Sequence, residues 1–440
     1  MFKQYSPQTA RESILKRAPM DEFDVPEKLL DSIASLFGER LTPDQAVSRI
    51  LREVRQEGDA ALRRWTKILD GQIPDSFRVP AEDVRSALQS LSDQELSALQ
   101  LAADRIRRFH QAQPVTSWFT NSLGGTLGQF MRPIRRVGLY IPGGTAPLPS
   151  SVLMSAIIAQ VAGVKEIAIV APPQKQTGTI HPSILAAAAL IGVEEVYAIG
   201  GAQAIAALAF GTESIARVDK IYGPGNLFVA LAKRQVFGTV GIDSVAGPTE
   251  TVVIADEGAN PAWVAADLLA QAEHDVLASA ILLTPSASLI KKVQEEVVKQ
   301  YNQRDRNEIL EASLQNRSGA VLVKDLKEAA DLANEYAPEH LCLSVSDPWL
   351  LSQEIYAAGG IFMGEHSFEV LGDYVAGPSH VMPTGGSARF NSPLNVLDFV
   401  HVVSLVALDP QTTQKIAPAA AIIAETEGLD AHANAAKVRL

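Results

Sequence analysis

Arg136-Val137-Gly138-Leu139-Tyr140-Ile141-Pro142-Gly143-Gly144 predicts a strand over 136–141 closed by a Pro-Gly-Gly turn. A helix-like apolar run follows over 151–162, then a second strand over 166–171. The alternation continues with a helix over 182–191, a strand over 195–199, a helix over 202–210, a strand over 218–222 and a helix over 227–235. Short apolar strands alternating with helices specify a parallel sheet covered on both faces. Ligands of such sheets bind beyond the carboxyl ends of the strands. Three glycine-bearing turns fall there: Tyr140 to Gly144, Gly200-Gly201-Ala202-Gln203 and Gly223-Pro224-Gly225-Asn226. Each opens a helix whose N-terminal N–H groups favour anions, and glycine lets the backbone approach a ligand closely. The dinucleotide fingerprint G-x-G-x-x-G is absent, which argues against a conventional site of that kind.

A second pattern of the same grammar runs from a strand over 251–255 to a strand over 360–363. Within it Asn260 caps a helix that has Pro261 at its first position. On the N-terminal side, residues 25–111 read as helical throughout. Thr42, Pro43 and Gln45 mark one start clearly, and a long helix is predicted over 93–111. Residues 1–22 read as a polar arm with an amphipathic helix around 10–16. Residues 372–393 are rich in Gly, Pro and Ser, and a helical tail is predicted from about Thr412 onward.

The chain has 440 residues, 47% of them apolar and 20% charged, as expected of a soluble globular protein with more than one domain. A net charge of −12 without a basic block argues against nucleic acid as a partner. No apolar run of membrane-spanning length and no signal peptide is seen. A single cysteine, Cys342, excludes an internal disulfide framework and a Cys-rich zinc site. A cytoplasmic setting is expected.

The chemistry concentrates in Asn334-Glu335-Tyr336-Ala337-Pro338-Glu339-His340-Leu341. Pro338 biases Ala337 away from the α region, so the preceding helix should stop and place Glu339 and His340 side by side on a loop. Histidine exchanges protons near neutral pH, and a neighbouring carboxylate can activate water. Of eight histidines, four have polar company. His274 lies one turn after Gln271, His340 follows Glu339, His380 is seven residues after Asp373, and His432 is five after Glu427. Such nitrogen and oxygen donors suit Zn²⁺ or Mn²⁺. Cys342, next to Leu341 in an apolar strand, reads as a buried small hydrophobe.

Together these stretches resemble the histidinol dehydrogenase family. The matching blocks are Val137 to Ser150, Gly200 to Ala206, Gly223 to Asn226, Ala246 to Glu250, Ala266 to Asp275, Asn334 to Leu341, Gly372 to His380 and Glu427 to His432. They cover nearly the whole chain in the family's order. The resemblance implies an α/β fold of two Rossmann-like parallel-sheet domains, with an N-terminal helical arm and a C-terminal helical tail exchanged in a domain-swapped homodimer. The expected divisions are an arm over 1–22, a zinc and substrate domain over 23–136 plus 249–393, an NAD-binding domain over 137–248, and a tail over 394–440 that reaches the partner subunit.

The resemblance also implies zinc held by Gln271, His274, Asp373 and His432, with His340 as general base and Glu339 as the group that activates water. The zinc ligands, together with Thr249, His340, His380 and Glu427, would line the substrate, and Tyr140, Gln203 and Asn226 would contact NAD. The family usually has Ser where this chain has Thr249, which keeps the hydroxyl and adds a methyl. The implied reaction is oxidation of L-histidinol through L-histidinaldehyde to L-histidine with two NAD. Alternatives are an NAD-dependent dehydrogenase of another polar alcohol on the same scaffold, an aldehyde dehydrogenase working through Cys342, and a zinc hydrolase using Glu339 and His340 without a nucleotide.

Overall fold

A computed structural model describes residues 2–17, 25–143, 147–303 and 307–440. Gly144, at the end of the first predicted turn, and residues 18–22 of the expected arm lie outside the described residues. In chain order the strands are β1 (Gln4–Tyr5), β2 (Trp118–Thr120), β3 (Thr126–Pro133), β4 (Arg136–Tyr140), β5 (Glu166–Ala171), β6 (Val196–Ala198) and β7 (Lys220–Tyr222). They continue with β8 (Gly241–Ile242), β9 (Glu250–Ala255), β10 (Ser279–Thr284), β11 (Gly319–Leu322), β12 (His340–Ser344), β13 (Gly360–Met363) and β14 (Val400–Ala407).

One parallel sheet of five strands has the order β6-β5-β4-β7-β8. Every residue of β4 is buried, because helices cover both faces. Val137 and Leu139 pack on helices Pro149–Ala162 and Pro182–Leu190, while Tyr140 faces helices Gly201–Phe210 and Leu227–Val236. The chain winds from β4 to β5 and β6 on one side, then crosses to β7 on the other. The crevice between β4 and β7 is therefore a topological switch point.

A second parallel sheet has the order β1-β11-β10-β9-β12-β13, with its own switch point between β9 and β12. Val253, Leu282 and Cys342 face helices Pro261–Ala272 and Ala287–Tyr301, while Val252, Ile281 and Leu341 face helix Leu326–Tyr336. The N-terminal arm joins this sheet: Gln4 and Tyr5 pair with Ala320 and Val321, and a short helix follows over Pro7–Glu12. The arm is thus part strand, where the sequence suggested a helix alone.

The helices of the N-terminal half bury their apolar stripes on the five-stranded sheet. Val47, Ile50 and Trp65 share a cluster with Tyr140 and Val170, and Ala102 and Ile106 share one with Val137. The expected grouping of 23–136 with 249–393 therefore differs from the packing seen here. An amphipathic helix covers whichever sheet layer leaves room for it, and periodicity does not encode which. A third sheet, β14-β3-β2, is antiparallel and carries the chain into the tail helices Pro410–Thr426 and Asp430–Lys437. Among the described residues, no helix is long and apolar enough to cross a membrane.

The turn after β7 is fixed by a buried ion pair. Lys233 donates to the Gly223 carbonyl at 2.9 Å and pairs with Asp243, which accepts from the Gly223 N–H at 2.7 Å. Removing one partner of a buried pair leaves the other charge without compensation. Lys233→Ala should therefore destabilise the fold by roughly 3–5 kcal/mol in denaturant unfolding. A loss below about 1 kcal/mol, the range of an exposed pair, would contradict this.

Candidate active site

The helix Leu326–Tyr336 ends on Ala337, which adopts φ +50°, the one positive φ at a non-glycine position among the described residues. Pro338 disfavours the α region there, and the left-handed conformation turns the chain at once into β12. The Glu339 carbonyl accepts from the Gly360 N–H at 2.9 Å, so the catalytic candidates are pinned to the sheet. Glu339 lies in the short turn expected from sequence, whereas His340 is already the first residue of β12, and both side chains are buried.

Glu339 Oε2 accepts from the Thr249 hydroxyl at 2.5 Å and from the Glu250 N–H at 3.1 Å. His340 places Nδ1 3.3 Å from the Glu250 carbonyl and Nε2 3.3 Å from Asp373 Oδ1. Two acceptors, one at each ring nitrogen, favour the doubly protonated ring. Burial pushes His340 down, but the carboxylates of Glu369, Glu339 and Asp373 outweigh it and raise it to about 10. Burial drives Glu339 up to about 7 despite His340 and its two hydrogen bonds.

Asp373 sits near the end of helix Glu369–Tyr374. Burial would raise its pKa, yet the hydrogen bond and charge of His340, with His380 and His274, hold it below the usual carboxylate range. His380 sets Nδ1 2.8 Å from the Asp373 carbonyl and Nε2 3.2 Å from Ser151 Oγ. Burial lowers its pKa, so the neutral ring donates from Nδ1 to the carbonyl and accepts the Ser151 proton at Nε2. Gln271 lies at the C-terminal end of helix Pro261–Ala272. In the amide orientation that satisfies its neighbours, its nitrogen donates to Glu369 Oε1 at 2.5 Å and its oxygen faces the Glu250 N–H at 2.7 Å.

Thr249, Gln271, Glu339, His340, Asp373 and His380 are therefore brought together, with His274 close enough for its charge to act on Asp373 and His380. Glu427 and His432 are not. Both are exposed on the tail, and among the described residues neither hydrogen-bonds any member of the cluster. Two contributors escaped the sequence. Glu369, buried and hydrogen-bonded to Thr251, stands four residues before Asp373, a spacing that places two carboxylates on one helix face. Ser151 carried no signal apart from following a proline-rich turn.

The cluster occupies the amino-terminal edge of its sheet, where β9, β12 and β13 begin. The carboxyl-edge rule does not hold for this half. Helices antiparallel to the strands turn their C-termini toward this edge, and carbonyl ends favour cations. The donor set agrees: ligand atoms of His340, Glu369 and Asp373 lie within 4.8 Å of one another. Three carboxyl groups against one imidazolium cannot all ionise there unaided, and a divalent cation would let them.

The second group lies at the carboxyl edge of the five-stranded sheet. Tyr140 Oη accepts from the Gly201 N–H at 3.2 Å. Gln203 is buried and donates to Asp70 Oδ2 at 3.3 Å, while its Oε1 has no partner. Asn226 caps helix Leu227–Val236 through the N–H groups of Phe228 and Val229. An orphaned buried oxygen beside helix N-termini fits a polar, anionic ligand such as a dinucleotide. The His380–Ser151 contact and the bond from Ser379 Oγ to the Met154 carbonyl at 3.1 Å join the two groups.

Cys342 is buried among Val253, Leu268 and Phe362, and burial pushes its thiol well above its ordinary value. A protonated thiol inside a core does not serve as a nucleophile.

A sequence model of histidinol dehydrogenase matches residues 39–440. The chain belongs to the histidinol dehydrogenase family. It is 51% identical over 421 residues to the histidinol dehydrogenase of Deinococcus radiodurans, covering 95% of this chain and 96% of that one. It is 52% identical over 396 residues to that of Moorella thermoacetica, covering 89% and 93%. The crystal structure of histidinol dehydrogenase from Elizabethkingia anophelis superposes with a TM-score of 0.90 at 36% identity, covering 100% of this chain and 98% of that one. Membership of this family makes the chain an oxidoreductase.

Asp373 is the one carboxylate in the zinc set implied by the resemblance, and it bonds His340 Nε2 at 3.3 Å. Asp373→Asn should lower zinc retained after dialysis by at least about tenfold, as a charged donor becomes a weaker neutral one. Metal content per chain, read by mass spectrometry, decides it. Stoichiometric zinc in the variant would remove Asp373 from the ligand set.

Proposed function

We propose that the chain oxidises L-histidinol through L-histidinaldehyde to L-histidine with two NAD, in the last steps of histidine biosynthesis and in the cytoplasm. The observation that carries this reading is the buried pair Glu339 and His340, set with Gln271, Asp373 and His380 where the amino edge of one sheet meets the carboxyl edge of the other. The division of labour follows the sheets: 137–248 takes NAD and 249–393 takes zinc and substrate.

His340 acts as general base at Nε2, since the Glu250 carbonyl holds Nδ1. It takes the hydroxyl proton in the first oxidation and the proton of the hydrated aldehyde in the second. Thr249 and the Glu250 N–H hold Glu339 Oε2, which leaves Oε1 to draw a proton from the water that hydrates the aldehyde. Thr249 thus serves Glu339 with the hydroxyl that the family's Ser would supply. His380, neutral and fixed by Ser151 and the Asp373 carbonyl, presents a polar edge to the substrate. Gln271, His274 and Asp373, with His432 of the partner subunit, would hold zinc, which when bound supplies a Lewis-acidic anchor for the ring and amine nitrogens of histidinol. Tyr140, Gln203 and Asn226 would line the site of NAD, the hydride acceptor. Buried Cys342 takes no part.

NADH formation from histidinol, its loss with a chelator, and no comparable rate on other polar alcohols would support this reading. Failure of histidinol to reduce NAD in zinc-loaded protein would reject it. The catalytic pair separates by half-reaction. Glu339→Gln should slow oxidation of supplied aldehyde by about 10²–10⁴-fold and the first hydride transfer far less, whereas His340→Asn should impair both. Alongside the later limb set by His340, raised to about 10, aldehyde oxidation should show a limb that climbs with pH through about 7, because Glu339 works as the carboxylate and is raised to about 7. Glu339→Gln should abolish that limb, and equal effects on both half-reactions would end the division of roles.

The tail suggests a shared site. Ile416, Ile422, Ile423, Val402 and Val406 are exposed on the single chain, an apolar face that a second copy would cover. Glu427 and His432 would then complete the partner's site. When inactive His274→Asn and His432→Asn chains are unfolded and refolded together, one site of each mixed dimer would carry both lesions and the other none. About half the dimers are mixed, so roughly a quarter of wild-type activity should return. No recovery, with mixed dimers confirmed by mass, would place His432 in its own chain's site.

A further inference from the structure

Arg17, at the end of the N-terminal arm, lies next to the catalytic pair although the chain separates them by more than 300 residues. Its Nη2 donates to Glu250 Oε2 at 2.8 Å while Nη1 bonds the other carboxylate oxygen. Nε and Nη2 also donate to the Tyr336 carbonyl at 3.1 and 2.6 Å, and the guanidinium lies 3.6 Å from the centre of the Tyr336 ring. Four N–H bonds and a stacking face are thus committed to two residues, a use of the planar fork that lysine cannot reproduce.

Those two residues flank the site. Glu250 is 4% exposed, and its main chain contacts both members of the pair: its N–H donates to Glu339 and its carbonyl faces His340 Nδ1. Tyr336 ends the helix that turns through Ala337 into Glu339. We infer that Arg17 is a positioning residue for the catalytic pair, fastening Glu250 to the Tyr336–Ala337 turn so that the Glu250 main chain holds the Glu339 carboxylate and the His340 ring in place. The role rests on the assignment of Glu339 and His340 as the catalytic groups. Arg17 lies outside the residues 39–440 that match the family's sequence model. Its pairing with Glu250 is electrically neutral and adds no charge to the cluster. Buried ion pairs are weak evidence for stability, whereas displacement of a reacting group by about 1 Å suffices to cost roughly a hundredfold in rate.

The test compares Arg17→Ala, Arg17→Lys, Glu339→Gln and the double variant Arg17→Ala/Glu339→Gln as zinc-loaded, full-length protein, with both half-reactions followed by NADH. Arg17→Ala should lower kcat roughly ten- to a hundredfold in each half-reaction while KM for NAD stays within about twofold. Arg17→Lys, which keeps the charge without the fork, should retain the fold and show the same loss confined to kcat. In the Glu339→Gln background, adding Arg17→Ala should slow aldehyde oxidation by a clearly smaller factor than in wild type, because residues acting through one another are not additive. Wild-type kcat in folded Arg17→Ala or in Arg17→Lys, or equal factors in both backgrounds while Glu339→Gln alone is slow, would overturn the positioning role and leave the catalytic assignment standing. Full aldehyde oxidation by Glu339→Gln alone would instead remove the catalytic assignment and the positioning role with it.

Discussion

Glu339, Glu369 and Asp373 carry three carboxyl groups around a single imidazole, His340, with Asp373 alone partly open to solvent. Like charges at that separation cannot all ionise without a counter-charge. The charges divide accordingly: the carboxylates raise His340 to about 10, burial pushes Glu339 and Glu369 up to about 7 and about 8, and His340 holds Asp373 low. Asp373 is also the member that faces His274 and His380, so the cluster's ionised oxygen points toward the nitrogen donors. Asp373 would thus be the charged oxygen available to hold a cation, and it is also the partner of His340 Nε2.

The charge problem also explains where the site lies. In a parallel sheet the helices run against the strands, so their N-termini gather at the carboxyl edge and their C-termini at the amino edge. This molecule uses both. The glycine turns after β6 and β7 present N–H groups suited to phosphates, while the beginnings of β9 and β12 receive helix carbonyl ends suited to cations. Helix Pro149–Ala162, rising from the carboxyl edge of one sheet, meets Ser379 and His380 from the other. One half can therefore offer an anion site and the other a cation site, joined at this contact.

Glu250 is the physical link among these parts. Its main chain touches both catalytic candidates, its carboxylate receives the N-terminal arm, and its strand is central to the second sheet. A main-chain donor and acceptor in a central strand are less mobile than side chains on a loop. The left-handed Ala337 serves the same end, since it lets a short turn, Ala337 to Glu339, carry the chain from the helix to His340 at the start of β12.

The alternation of strands and helices, the three glycine turns, the capped helix that carries Gln271, and the Glu339–His340 pair were all legible in the sequence, because each depends on local periodicity, capping or turn chemistry. The grouping of Gln271, His274, Asp373 and His380 came from resemblance and not from spacing, and Glu369, one glutamate before a Gly-rich stretch, looks solvated in the sequence. Burial of Glu339, the start of β12 at His340, the amino-edge location of the cluster, the joining of the first residues to β11, and the packing of the N-terminal helices on the five-stranded sheet were decided only by tertiary structure. Each depends on what lies across from a residue, tens or hundreds of positions away. A sequence records which faces are apolar and where the chain can turn; which partner covers a face, and so how much a buried charge is shifted, is set by the whole packed molecule.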